Sequence, residues 1–150
     1  MQLSQKESEL LKEMKNAEKV CAERYKRHRA QASDPQLADL LGRLEENERE
    51  HYDLLTRVES GELPQPRTQD SIHHPQFTQT YSIADSDEKR NDCFICSDLL
   101  AAEKHSAGKY NTTVFEFRDP QARQLLNRIQ TEQQQHGLQL YGYMSANGMY

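Results

Sequence analysis

The sequence predicts an all-α protein, an antiparallel four-helix bundle made of two repeated helical hairpins joined by a long crossover loop. Three observations lead there. Residues 17–60 align with residues 102–145 at a constant offset of 85 without a gap. About a third of the aligned positions are identical, a self-similarity that marks a duplicated supersecondary unit. Each copy carries an Asp-Pro pair in its middle, Asp34-Pro35 and Asp119-Pro120, which ends one helix and starts the next, with Asp as N-cap and Pro at the first helical position. Apolar residues then recur at alternating gaps of four and three, the spacing of a bundle seam.

The first helix is expected from about Leu3 to Gln31. Ser4 followed by Glu7 is a capping-box signal, and Leu3, Leu10, Met14, Ala17, Cys21 and Tyr25 fall near one face. The second carries Leu37, Leu41, Leu44, Glu48, His51, Leu55 and Val58 and stops at Ser60-Gly61. The third is expected from about Asp92 to Phe117, with Leu99, Glu103, Ser106 and Tyr110 on one face. Its end, Asn111 to Phe117, has weak helix propensity, which the duplicated context is expected to override. The last helix carries Ala122, Leu126, Ile129, Gln133, His136, Leu140 and Tyr143 and stops at Asn147-Gly148. The chain thus reads as a single domain: hairpin 1 over about 3–60, a crossover over 61–91, hairpin 2 over about 92–146. A loop as long as the crossover is uncommon in a compact domain. It is explained if it runs back along helices of about 39 Å, as in bundles with a long crossover. His73 and His74, adjacent in that loop, read as solvated.

Composition bounds the function. The chain has 150 residues, a formal charge of −5 and 35% hydrophobic residues. Apolar runs are too short for a membrane span. The polar start MQLSQKESELL is unlike a secretory signal. The acidic balance argues against nucleic acid as the main partner. Three cysteines do not make a disulfide scaffold. Neither a Gly-rich phosphate loop nor a Ser-His-Asp arrangement is evident, so hydrolase chemistry has no support.

Polar residues interrupt the seams at matching heights. Glu48 and His51 occupy seam positions of the second helix, and Gln133 and His136 occupy the same positions of the fourth. Glu18 and Glu103 are repeat equivalents on the first and third helices. Two-metal carboxylate sites in bundles take one Glu from each of two helices and a Glu-x-x-His from each of the other two, because the i, i+3 spacing stacks carboxylate and imidazole on one face. Iron or manganese suits such a mixture of oxygen and nitrogen ligands. Glu18, Glu48, His51, Glu103 and His136 fit this pattern; Gln133 stands where it wants a carboxylate. Glu132 is adjacent but turned by about 100° and is expected to point elsewhere. A metal-free network of carboxylates, imidazoles and Gln133, a single-metal site and a two-metal site all remain open at this level.

Cys93-x-x-Cys96, placed before the third helix, reads most simply as two reduced cysteines near the bundle end, with half a zinc site or a redox pair as alternatives. Cys21 reads as a small core residue. Glu45-Glu46 and Arg27-His28-Arg29 read as solvated faces. Phe115 and Phe117 are either core or an apolar face for a homodimer. Seven tyrosines and many glutamines are compatible with intermolecular cross-linking, which composition does not establish.

Two stretches, AEKVCAERYKRHRAQASDPQLADLLGRLEENEREHYDLL and CSDLLAAEKHSAGKYNTTVFEFRDPQARQLLNRIQTEQQQHGLQLYGYMSANGMY, resemble the spore coat protein F family of endospore-forming bacteria. The FEFRDPQ segment and the H-x-x-x-x-Y-x-Y-M-x-x-x-G-M-Y ending are the more specific parts. The resemblance implies a ferritin-like bundle, made in the mother-cell cytoplasm and associated with the spore coat, with other coat proteins as partners and no enzyme activity supplied. Through the ferritin-like superfamily it implies the metal positions Glu18, Glu48, His51, Glu103 and His136, from which Gln133 departs. The expected function is a coat-associated structural protein with a partly degraded two-metal site. The alternative is a di-iron or di-manganese redox protein handling oxygen, peroxide or iron.

Overall fold

A computed structural model describes residues 1–65 and 75–150. Four long helices follow in order: α1 (Gln5–Gln31), α2 (Pro35–Glu59), α3 (Asp87–Thr113) and α4 (Pro120–Ala146), with a single 3-10 turn, Val114–Glu116, between the last two. α1 packs chiefly on α2 and α3 on α4, while α1 also meets α3 and α2 meets α4. This is a four-helix bundle of two hairpins. His73 and His74 lie outside the described residues.

The caps set the helix ends. Ser4 Oγ accepts from the Glu7 N–H at 3.1 Å and donates to Glu7 Oε1 at 3.2 Å, so the Ser4 hydroxyl makes the N-cap half of the expected capping box. Asp34 and Asp119 accept from the N–H groups of Gln36 and Gln121, with Pro35 and Pro120 in the first turn. Gly61 and Gly148, at φ of +93° and +65°, turn the chain out of α2 and α4 through left-handed backbone that other residues resist.

α3 departs from expectation at both ends. It begins five residues before Asp92, because Ser86 caps it and Asp87 and Glu88 favour its first turn. The crossover is correspondingly shorter than expected. Asp92 is therefore internal to the helix and fully buried. It accepts from the Ser33 and Asp34 N–H groups at 2.8 and 2.9 Å and from the Tyr81 hydroxyl at 2.6 Å. One carboxylate thus ties the α1–α2 turn to α3 and to the crossover. At the other end the helix stops at Thr113, where β-branched Thr112, Thr113 and Val114 weaken it. The following turn drives Phe117 into the core at 0% exposure and leaves Phe115 75% exposed.

The return leg of the crossover is pinned to the α2 start and the α4 end. Thr78 pairs with Gln36, and Asn147 Oδ1 accepts from the Thr80 and Tyr81 N–H groups. Phe77 stacks edge-on against Tyr143. A Cβ on Gly142 would lie 3.2 Å from the Phe77 ring, so glycine gives the ring its seat.

The apolar interior is divided. One cluster holds Tyr25, Leu37, Leu40, Leu41, Ile95, Leu99, Leu140 and Tyr143. The other holds Leu11, Met14, Leu55, Val58, Phe117, Leu126 and Ile129. Leu3 and Leu10 pack on the second cluster only at its edge; the α1 stripe runs instead through Leu11, Met14, Glu18, Cys21, Ala22 and Tyr25. Between the clusters lies a layer of buried polar groups.

Two charge runs are solvated only in part: Glu46, Arg27 and Arg29 are exposed as expected, but Glu45 and His28 are not. Glu45 is buried and takes both Arg49 and Arg29. His28, half-buried, meets Asp98 at 2.7 Å. Cys93 and Cys96 lie inside α3, not before it, and Cys96 is fully buried. Burial, with Asp92 nearby, pushes its thiol up to about 12, so it is inert toward thiol chemistry at neutral pH.

Candidate functional site

Each helix sends one or two polar side chains into the layer. α1 supplies Glu18, α2 Glu48 and His51, α3 Glu103 and Ser106, α4 Gln133 and His136, and all are buried. The six residues singled out by their seam positions therefore converge, three from each hairpin. Glu18, Glu48 and His51 each place one ligand-type atom within 4.8 Å of the others, and so do Glu48, Glu103 and His136. Glu48 is common to both triads.

The contacts repeat the duplication. Tyr110 donates to Glu18 Oε1 at 2.6 Å, and its equivalent Tyr25 donates to Glu103 Oε1 at 2.7 Å. Each tyrosine reaches across to the carboxylate of the other hairpin. His136 Nδ1 lies 3.1 Å from Glu48 Oε1 and 3.0 Å from Glu103 Oε1. His51 Nδ1 lies 3.4 Å from Glu18 Oε2 and 3.7 Å from Glu48 Oε2. The two rings stack, with centroids 5.9 Å apart.

The outward nitrogens are held as well. His51 Nε2 faces Glu132 Oε1 at 3.3 Å and His136 Nε2 faces Asn47 Oδ1 at 2.6 Å. Asn47 and Glu132 are themselves equivalents at the 85-residue offset, and Asn47 Nδ2 donates to Glu132 Oε1 at 2.9 Å. This corrects the expectation for Glu132. It is turned away from the seam, but the seam is narrow enough that the next position still reaches the back of His51. Asn47 and Glu132 were missed by a reading confined to seam positions; their pairing at the repeat offset, next to Glu48 and Gln133, was the available signal.

Gln133 replaces a carboxylate with an amide whose Nε2 donates to Glu18 Oε1 at 3.0 Å and to Ser106 Oγ at 2.9 Å. Ser106 is the repeat equivalent of Cys21, so the acceptor that Gln133 uses exists on one side only.

Charge inside the layer is self-compensating. Burial alone would push Glu18 up, but a hydrogen bond from Glu48, the His51 charge and Tyr110 bring it down to about 2. Burial likewise opposes the ionised form of Glu103, and the His136 charge outweighs it, holding the carboxyl below its usual range. Glu48 goes the other way: burial and the charges of Glu18 and Glu103 raise it well above the carboxylate range. Burial would discharge the imidazoles, but Glu103 lifts His136 to about 10 and Glu18 lifts His51 well above 6.5. Without a cation the layer thus holds two carboxylates, two imidazoliums and one protonated Glu48, which sum to zero.

The donor set fits a divalent cation. Five buried polar atoms of this layer have no hydrogen-bond partner: Glu18 Oε2, Glu48 Oε2, His51 Nδ1, Glu103 Oε2 and Gln133 Oε1. Four belong to residues that would ligate the cation, and the fifth to Gln133 beside them. A proton on Glu48 answers part of that deficit, and a cation would answer more, since unpartnered buried oxygens are costly. Acceptors behind both Nε2 atoms favour the tautomer that turns an Nδ1 lone pair inward, the usual support of a metal-ligating histidine.

The class of protein is thus defined: an all-α four-helix bundle of two repeated hairpins around a buried carboxylate–imidazole layer. The model of the Coat F domain family matches residues 91–150. The second hairpin is thus similar to the Coat F domain, which supports the resemblance to the spore coat protein F family over those residues; α1 and α2 lie outside the match. No curated protein matches the chain, and no solved structure does. No helix among the described residues is long and apolar enough to cross a membrane.

Proposed function

We propose that the protein is a structural component associated with the spore coat, and that its interior keeps a reduced two-metal site. Glu18, Glu48, His51, Glu103 and His136 would hold the metal, with Gln133 beside them. The match to the Coat F domain over 91–150 supports the coat assignment, with other coat proteins as partners. The observation that carries the site reading is Gln133, an amide hydrogen-bonded to Glu18 and Ser106 at the position of a second shared carboxylate.

Charge decides the occupancy. One divalent cation with three carboxylates and one remaining imidazolium is neutral. Glu132, behind His51, is paired with Arg128 at 3.1 Å and cancels in the count, so two divalent cations with three carboxylates and two neutral imidazoles carry one excess positive charge in a buried layer, which is strongly disfavoured. The site therefore takes at most one divalent cation, iron or manganese by its ligand chemistry. Such an ion would cross-link the two hairpins through Glu48 and stiffen the bundle. Two overlapping triads favour the second reading, a redox protein, only if a pair of ions fills them.

Metal analysis of aerobically purified protein, with oxygen consumption measured in parallel, separates the two. One ion or fewer per chain and no oxygen uptake is the expected result. Two irons per chain, with a ligand-to-metal absorption band that Glu48→Ala removes, would replace the structural reading by the redox one. Fractionation of purified spores tests the coat assignment: the chain is expected in the coat extract, and its confinement to the core fraction would contradict it.

A further inference from the structure

One surface of the molecule is free of acidic and basic side chains. From Gln133 to Tyr150, and again from Pro75 to Ala84, there is no Asp, Glu, Lys or Arg, in a chain of which 29% is charged. The two stretches lie together: Phe77 rests on Gly142, and the Thr80 and Tyr81 N–H groups donate to Asn147. The repeat marks this as a departure. Arg49, Glu50, Asp53 and Arg57 of α2 correspond to Gln134, Gln135, Leu138 and Gly142 of α4. Loss of charge with aromatic and Met side chains in its place is the composition of an interface core, and Phe77, Tyr141, Met149 and Tyr150 supply them here.

The face has relief. Leu138, 62% exposed, lines two grooves and stands as the ridge between them. One groove, about 460 Å³, runs past Phe77, Gly142 and Ala146. The other, about 320 Å³, lies between α3 and α4 beside Leu100, Ala107, Gly137 and Tyr141, and the surface open within it is almost wholly apolar. Gly137 stands where the first hairpin has Tyr52. A Cβ there would meet only Leu100 Cδ2, at 3.7 Å, so the recess exists because a side chain is missing and not because the interior needs glycine.

Knob and recess on one face are what an isologous pair requires, since each residue must meet its counterpart's partner reciprocally. Charge points the same way. Two copies at −5 each repel, and a two-fold axis through a charged face sets like charges together; this face avoids both. The other apolar side chains exposed on the helices and turns do not. Phe115 precedes Glu116, which pairs with Lys6, and its carbonyl takes Arg123. Phe94 meets His28, which shares Asp98 with Arg24.

We propose that two copies of the chain pair through this face, α4 against α4 in opposite directions about a two-fold axis, with Leu138 of each copy seated in the α3–α4 groove of the other between Leu100, Gly137 and Tyr141. The polar layer lies behind that groove, so the contact is independent of any cation there. Gln134 to Ala146 spans about 20 Å of helix, which places the contact among small interfaces that form in a concentration-dependent way.

Sedimentation velocity of the full chain from about 10 μM to about 1 mM, the range of weak specific contacts, is expected to show the mass rise from 17.5 kDa toward twice that value and level off there, with chelator or with manganese alike. Leu138→Lys, at a largely exposed position and checked for an unchanged melting temperature, is expected to weaken the dimer at least tenfold. Gly137→Leu, which fills the recess from within, is expected to weaken it similarly. Phe115→Lys, equally exposed, is expected to leave it as in wild type. In a mixture of isotope-labelled and unlabelled wild-type chains, NOEs are expected from the Leu138 methyls of one copy to Leu100 and Tyr141 of the other. A chain still monomeric at about 1 mM would overturn the proposal and leave the face to a different protein. Growth beyond the dimer, a dimer that Leu138→Lys does not weaken, or one that Phe115→Lys weakens as much would overturn it too. A dimer without those NOEs would overturn the seating of Leu138.

Discussion

Gln133→Glu restores the carboxylate that the symmetric pattern lacks, and its effect can be worked from the contacts. The wild-type amide donates to Glu18 Oε1 at 3.0 Å and to Ser106 Oγ at 2.9 Å, and Gln133 is 1% exposed. A carboxylate there loses the donation to a charged acceptor and faces Glu18 as a like charge; a protonated acid keeps at most one of the two bonds. Losing a buried bond to a charged group costs about 1.5–3 kcal/mol, and the added acid brings the total to about 3 kcal/mol. At this chain length that lowers the melting temperature of chelator-treated protein by about 6–12 °C. With excess manganese the order reverses. Four carboxylates balance two divalent cations, so the variant is expected to bind two ions where the wild type binds at most one. Ligand at about a hundred times its Kd returns about 2.7 kcal/mol. Thermal unfolding by circular dichroism with and without chelator, combined with metal analysis of desalted protein, reads both effects. A variant as stable as wild type without metal, or one whose stoichiometry does not rise, would refute the charge argument.

Further tests address the same layer and its supports. Tyr110→Phe removes the donor to Glu18 and is expected to cost about 2 kcal/mol, with Tyr25→Phe close to it by symmetry; a melting shift below about 1 °C in both would contradict the network. Asp92→Ala leaves the Ser33 and Asp34 N–H groups and the Tyr81 hydroxyl unpaired. It should cost about 3 kcal/mol and raise amide exchange at the α1–α2 turn first; unchanged exchange there would count against its tethering role. The pH profile has a definite sign. His136, raised from 6.5 to about 10, stabilises fully below pH 6.5 and loses that contribution as pH rises through about 10; His51 acts in the same direction. Glu48, also raised, starts the alkaline decline from pH 4.5. Glu18, lowered to about 2, stabilises above pH 4.5 and loses its contribution as pH falls toward 2. Chelator-treated protein is therefore expected to melt at progressively lower temperature from pH 6.5 to 10, while the stabilisation added by metal grows over the same interval, because the ligands must be deprotonated. A rising melting temperature without metal between pH 6.5 and 10 would contradict the assignment.

Much of the bundle was legible because its determinants are local. Asp34-Pro35 and Asp119-Pro120 fix helix starts through short-range capping, and the 85-residue repeat transfers the pattern of one hairpin to the other. α3 was misjudged at both ends for the opposite reason. The helix was expected to start at about Asp92, yet the partners of that carboxylate, Ser33, Asp34 and Tyr81, come from other elements, and the cap is Ser86. Phe115 and Phe117 could not be divided into surface and core without the 3-10 turn that separates them. The convergence of Glu18, Glu48, His51, Glu103, Gln133 and His136 followed from seam spacing, since a polar residue on a seam has nowhere else to go. Asn47 and Glu132 sit one position off the seam, and only the interhelical distance decides that they reach the imidazoles. Glu45 and His28 were hidden likewise: their partners Arg29, Arg49 and Asp98 are set by how α1 meets α2 and α3.

The account rests most on the charge states inside the layer, and nitrogen-15 NMR of the two imidazoles reads them directly. In chelator-treated protein at pH 7, His51 and His136 are both expected as imidazolium. One equivalent of zinc, a diamagnetic stand-in, is expected to convert one ring per chain to the neutral form protonated at Nε2, and further zinc to leave the other unchanged. Two neutral rings in metal-free protein, or both rings losing their protons together as two zinc ions bind, would contradict it.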